Sequence, residues 1–362
     1  MKRDPASWLF TAIAAGSLAV SVFTTGQQPR AAMGRNMARQ PGSPSQPKDD
    51  GAGHDASTPG EIPARGWWAI AKRVAANVSG HRLLTEAAAI TFYALLALFP
   101  ALAALVSLYG LFADPATISD QMTALAGVVP DGGMEIITGQ VRALTADGGG
   151  KKLGVGLVIG LGISLWSANQ ATKALFDGLN VVYGEEEKRG FLLRTAVTLA
   201  FTMGGIVFVL LAMAAVVAVP IVLETVGLSG VADFLLKFLR WPVLLLALAA
   251  LLACIYRFGP SREKAKWAWV SWGGGFGAVA WVLGSIAFSY YVSHFGSYNK
   301  TYGSLGAAVG FLTWIWLSAT IVLTGAEVNA EMEHQTARDT TTGPEQATGA
   351  RGAAKADAVA PA

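Results

Sequence analysis

Charge is scarce in this chain. Asp, Glu, Lys and Arg make up 14% of its 362 residues, against about 25% in an ordinary soluble domain. Cysteine is nearly absent, and Cys254 alone excludes an intrachain disulfide and any multi-cysteine metal site. The four histidines, His54, His81, His294 and His334, are scattered and do not form the His/Asp/Glu pattern of a metal-dependent nuclease. Neither G-x-S-x-G nor H-E-x-x-H occurs, which removes two common hydrolase signatures. No G-K-[ST] follows a glycine-rich loop, so active transport would draw on an ion gradient or another protein. The net charge of +3 is too small for a phosphate-binding stripe, and nucleic acid is not expected as a partner. No metal or cofactor is expected, and no catalytic residue stands out.

What is present is apolar sequence, 53% of the whole. Residues 304–326 carry no Asp, Glu, Lys, Arg or His over more than the roughly 20 residues a helix needs to cross a bilayer core. Similar runs at 87–112, 153–176, 195–223, 234–256 and 269–292 bring the expected spans to six. Small residues mark close helix approach at Gly156 and Gly160, at Gly273 and Gly277, and at Gly303, Gly306 and Gly310. Pro100 is expected to kink the first span. Lys and Arg near the spans number fourteen at 65–82, 188–194, 257–266 and 338–355, against six at 142–152, 237–240 and 300. Because cytoplasmic loops hold the excess, the bundle reads with both ends inside.

The ends differ. Lys2 and Arg3 precede an apolar stretch, so residues 1–26 read as a signal peptide or an extra span, while Met33 and Met37 offer an alternative start. Residues 27–64 read as a disordered linker, 65–335 as the membrane domain and 336–362 as a flexible cytoplasmic tail. From Arg65, the stripe Trp67, Trp68, Ala71, Val74 and Val78 predicts an amphipathic helix, either lying in the membrane interface or packed on the bundle. Two further weakly amphipathic helices are expected within 113–152.

The segments AITFYALLALFP (89–100), LWSANQATKALFDGLNVVYGEEE (165–187) and SYNKTYGSLGAAVGFLTWIWLSATIVLTGAEVNAEME (297–333) resemble the YihY/BrkB family of bacterial inner-membrane proteins. The resemblance spans roughly residues 68–335. It implies a six-helix bundle of the inner membrane with both ends in the cytoplasm, and a role in envelope lipid handling or transport. Members have also carried ribonuclease and virulence or serum-resistance labels.

Ionisable residues within spans are functional candidates by default. Glu86 opens the first span, Lys173 and Asp177 close the second, and Glu327 with Asn329 closes the sixth. These are expected either to converge on one cytoplasmic vestibule, with Lys173 between Glu86 and Glu327 or Asp177, or to be separate solvated helix ends. Asn169 and Asn180 extend the polar side of the second span, and Tyr93 and Trp166 either line the cavity or pack. The expected fold is thus an all-α six-transmembrane-helix bundle, N-in/C-in, with an interfacial amphipathic helix and a disordered N-terminal extension. Its expected partners are membrane lipids and a lipid, amphiphile or small-solute substrate, with homo-oligomerisation left open. A non-catalytic envelope scaffold is the alternative, and a membrane enzyme, other than a ribonuclease, a distant third.

Overall fold

The computed structural model describes residues 51–112, 150–226, 231–295 and 304–361. Among them are seven α-helices and no strand. After a short 3-10 turn at Pro59–Glu61 come α1 (Ala64–Gly80), α2 (Leu83–Phe112), α3 (Gly150–Tyr183), α4 (Phe191–Val226), α5 (Val231–Phe258), α6 (Trp267–Phe295) and α7 (Ser304–Gln335). Residues 1–50, Gly303 and the helices expected within 113–149 lie outside the described residues. Four helices contain stretches long and apolar enough to cross a membrane, at Phe191–Ala212, Phe238–Phe258, Trp267–Val292 and Ala308–Gln335. Their large side chains face outward at Leu210, Leu246, Ile286 and Tyr290. A helix that is apolar all round and exposed in this way suits lipid rather than water.

Pro63 sits at the N-cap of α1, where its missing N–H costs nothing. The helix stops at Gly80, and Arg82, with φ 52°, turns the chain directly into α2. That left-handed backbone is uncommon for a side-chain-bearing residue, and it fixes the corner between the two helices. Gly66, Ile70 and Val74 form the buried face of α1; Ile70 and Val74 pack with Trp269, Val328 and Met332, and Gly66 lies against Ala52 and Ile62. Trp68 is exposed. Of the two readings of this helix, contact with the bundle is the one observed, and the side carrying Arg73 and Asn77 faces α7.

Small residues bring α5, α6 and α7 together, and the Gly273/Gly277 pair serves two partners rather than one. A Cβ on Gly273 would overlap the Asn329 side chain and the Gly325 carbonyl of α7, whereas one on Gly277 would come within 3.1 Å of Tyr256 and Leu252 of α5. The Tyr256 hydroxyl donates to the Val322 carbonyl at 2.8 Å, so one side chain pins the junction. A Cβ on Gly310 would meet nothing within 4 Å, so no close approach occurs there among the described residues. Gly160 and Gly306 are half-buried. Gly156 lies within α3, and α2 stays helical through Pro100.

The core concentrates at one end of the bundle, where Leu83, Phe176, Leu179, Tyr183, Tyr256 and Leu323 are buried together. Residues 336–361, for which a loose tail is the sequence expectation, pack against this end. The Arg351 guanidinium donates to the carbonyls of Ala337, Ala356, Arg338 and Gln346. Asp357 accepts from the N–H groups of Gly349 and Arg351, and Ala265 pairs with Thr341 in an isolated bridge. Part of the expected linker is placed too: Ala56 and Ile62 are buried, and the Thr336 hydroxyl bonds to the Ala56 carbonyl at 2.6 Å. Backbone hydrogen bonds and side-chain caps hold these segments where hydropathy gives no period.

Candidate functional site

Two matched ladders build the polar end. Arg73 and Asn77 on α1 and His81 at its C-cap lie four apart, and Glu327, Glu331 and Gln335 lie four apart on α7, so each set runs along one side. Arg73 Nε is 2.5 Å from Glu331 and its Nη2 donates to Gln335 at 2.6 Å. Asn77 donates to Glu327 at 2.7 Å and to Glu331 at 3.0 Å. His81 Nδ1 lies 2.9 Å from Glu327. Lys355 of the tail completes the shell of Glu331 at 2.5 Å. Glu333, off that face, takes both Nη groups of Arg262 at 2.7 Å.

The expected vestibule residues do not join in one ion cluster. Glu327 is taken by α1. Asp177 accepts both bonds from Arg194, at 2.6 and 2.8 Å. Lys173 lies over the Trp166 and Phe191 rings, each 5.6 Å from its nitrogen, and among the described residues no carboxylate is within 4.0 Å of it. Glu86 is half-buried beside Gly178, within electrostatic reach of Asp177. Asn329 instead ties α7 to α6, accepting from the Gly273 N–H at 2.7 Å and donating to the Val270 carbonyl at 3.2 Å. Asn180 accepts from the Ser261 N–H at 2.8 Å. Asn169 is buried with no donor reaching its Oδ1. Tyr93 and Trp166 are exposed, Tyr93 against the Phe92 ring.

What sequence reasoning missed is a cavity of about 600 Å³ between the α3–α4 loop, the start of α4 and the α5–α6 loop. Its lining combines apolar side chains, Leu193, Val197 and Phe258, with basic ones, Lys188, Arg189, Arg257, Arg262 and Lys264. The tail reaches it at Gly352. Arg189 is fixed at the rim by Glu187 at 2.7 and 2.8 Å and by the carbonyls of Phe258 and Gly259. Burial alone would raise the Glu187 carboxyl, but hydrogen bonds and charge from Arg189 outweigh it and hold the group at about 2. The available signal was the cation-rich composition of the two loops, which in sequence speaks first of orientation. Among the described residues no three His, Cys, Asp or Glu side chains gather as a metal ion needs.

Long apolar helices closed at one end by a polar cap, with a cavity half greasy and half basic, define a polytopic membrane protein. The family model described as "Virulence factor BrkB" matches residues 74–350; the chain belongs to that family. It is 26% identical to the "Putative ribonuclease-like protein YfkH" of Bacillus subtilis over 69% of this chain and 90% of the relative. It is 27% identical to a "UPF0761 membrane protein" of Vibrio parahaemolyticus over 74% of this chain and 83% of the relative. A UPF0761 membrane protein of Pseudoalteromonas translucida is 24% identical over 76% and 88%. No solved structure matches the chain.

Proposed function

We propose that this protein crosses the bacterial inner membrane six times, with both ends of the bundle in the cytoplasm, and moves or handles a lipid or other amphiphile without enzymatic turnover. The cavity carries the reading, since its lining offers apolar side chains to a chain and cations to a headgroup. Helices α2 and α3, of 30 and 34 residues, would be about 45 and 51 Å long at 1.5 Å per residue, beyond the roughly 30 Å hydrocarbon thickness. With the four long apolar stretches they make six spans. The basic loops would then face the cytoplasm, as the excess of Lys and Arg there requires.

Reconstitution tests the function. Full-length protein in liposomes carrying a fluorescently labelled phospholipid is expected to speed movement of the label between leaflets relative to protein-free vesicles. Leu193→Glu, which places a carboxylate among the apolar lining residues, is expected to slow it. Equal rates with and without protein would overturn the reading.

A further inference from the structure

We infer that the cavity takes a phosphate or comparable oxyanion, with Arg257 and Lys264 as its charged contacts; the inference rests on reading this cavity as the amphiphile site. Of the five cations in the wall, three already have carboxylates. Lys188 pairs with Glu185 at 2.8 Å, Arg189 with Glu187 at 2.7 Å and Arg262 with Glu333 at 2.7 Å. Arg257 and Lys264 have none within 4.0 Å among the described residues. Glu263 is the one carboxylate in the lining, so the wall keeps a positive excess.

The free cations are positioned rather than loose. The Arg257 guanidinium lies 4.6 Å from the centroid of the Trp267 ring and donates to the Ala265 carbonyl. Lys264 Nζ lies 5.5 Å from the Phe258 ring. Aromatic contact of this kind holds a cation without neutralising it. Nε of Arg257 and Nε of Arg262 are enclosed by protein, so the charge offered to a ligand is that of the Arg257 guanidinium and the Lys264 ammonium in the lining. Guanidinium N–H groups are best met by an anion with several lone pairs. A neutral hydroxyl-bearing or wholly apolar ligand leaves the charge uncompensated.

Geometry also orients such a ligand. Leu193 and Val197 stand on the first turns of α4, at the start of an apolar stretch long enough to cross a membrane. Arg257 stands on the last turn of α5 and Lys264 on the loop that follows it. The tail closes the rim: the Glu263 N–H donates to the Gly352 carbonyl at 3.1 Å, and Gly352 has a φ of 68° that side-chain-bearing residues rarely adopt.

Native mass spectrometry of the full-length protein in detergent tests this with three probes: phosphatidylglycerol, diacylglycerol and glycerol 3-phosphate. Lys264→Gln and Arg257→Gln are each expected to weaken phosphatidylglycerol binding about tenfold or more, leaving diacylglycerol binding unchanged. Arg257→Lys is expected to retain part of the affinity. Because Arg257 also holds the Ala265 carbonyl, the exposed Lys264 supplies the variant that leaves the fold intact. Glycerol 3-phosphate binding as tightly as phosphatidylglycerol assigns the site to a free phosphate; much weaker binding assigns it to a lipid. Unchanged phosphatidylglycerol affinity in both Gln variants overturns the inference. If the wild type still speeds lipid movement in that event, the oxyanion assignment alone has failed. If the wild type moves no lipid but the variants lose the anion, the transport reading has failed and the phosphate site stands.

Discussion

Arg262 and Glu333 meet fork to fork, two bonds of 2.7 Å between side chains 1% and 0% exposed, with the Tyr183 ring 4.1 Å from the guanidinium. The pair locks the α5–α6 loop to the end of α7. Removing one partner strands a buried charge, so Glu333→Gln is expected to cost about 3–5 kcal/mol. Replacing both by Met should cost less than the single change. Unfolding of the detergent-solubilised variants, read as a double-mutant cycle, checks this; a Glu333→Gln protein as stable as wild type would show the bond to be idle.

Two glycines separate packing from mere smallness. Gly273→Ala places a methyl against Asn329 and the Gly325 carbonyl, and overpacking of that kind is expected to cost about 1–3 kcal/mol. Gly310→Ala meets open space and is expected to stay within about 0.5 kcal/mol of wild type. Thermal midpoints in one detergent compare the two directly.

Acid should loosen the α3–α4 loop. The Glu187 carboxyl is held at about 2, below its ordinary value of 4.5. A depressed folded-state value means that its stabilisation is complete above about 4.5 and is lost as pH falls through that window toward 2. Protection factors over residues 184–190, corrected for the intrinsic pH dependence of amide exchange, are expected to fall across the window in wild type. In Glu187→Gln they should be low already at neutral pH and change little in acid.

The tail prediction is proteolytic. With Arg351 holding four carbonyls and Lys355 bonded to Glu331, trypsin is expected to cut slowly after Lys355. Arg351→Ala should speed that cut without altering the helical circular dichroism.

Much of the helical framework could be read from runs of apolar residues, and the shared face of Glu327 and Glu331 from their spacing. Their partners could not. Arg73 and Asn77 form the polar side of an amphipathic helix whether they meet water or a buried carboxylate, and only the antiparallel seating of α1 on α7 decides between these. Lys173 shows the same limit. Its spacing to Asp177 suits a helix-surface pair, but Arg194, from the next helix, occupies that carboxylate, and Trp166, two turns back on the same face, receives the ammonium. The cavity was harder still, because two loops separated by α4 and α5 make it. The tail lacks apolar periodicity because its buried contacts are Ala353, Ala356 and Ala360, too small to mark a face.

The ladder joining α1 to α7 bridges 246 to 262 positions along the chain. A ribosome feeding this polypeptide into the bilayer releases Arg73, Asn77 and His81 long before their acceptors exist. During synthesis the nascent α1 must therefore rest on water, lipid headgroups or a chaperone, and the cap can close only when α7 has been delivered.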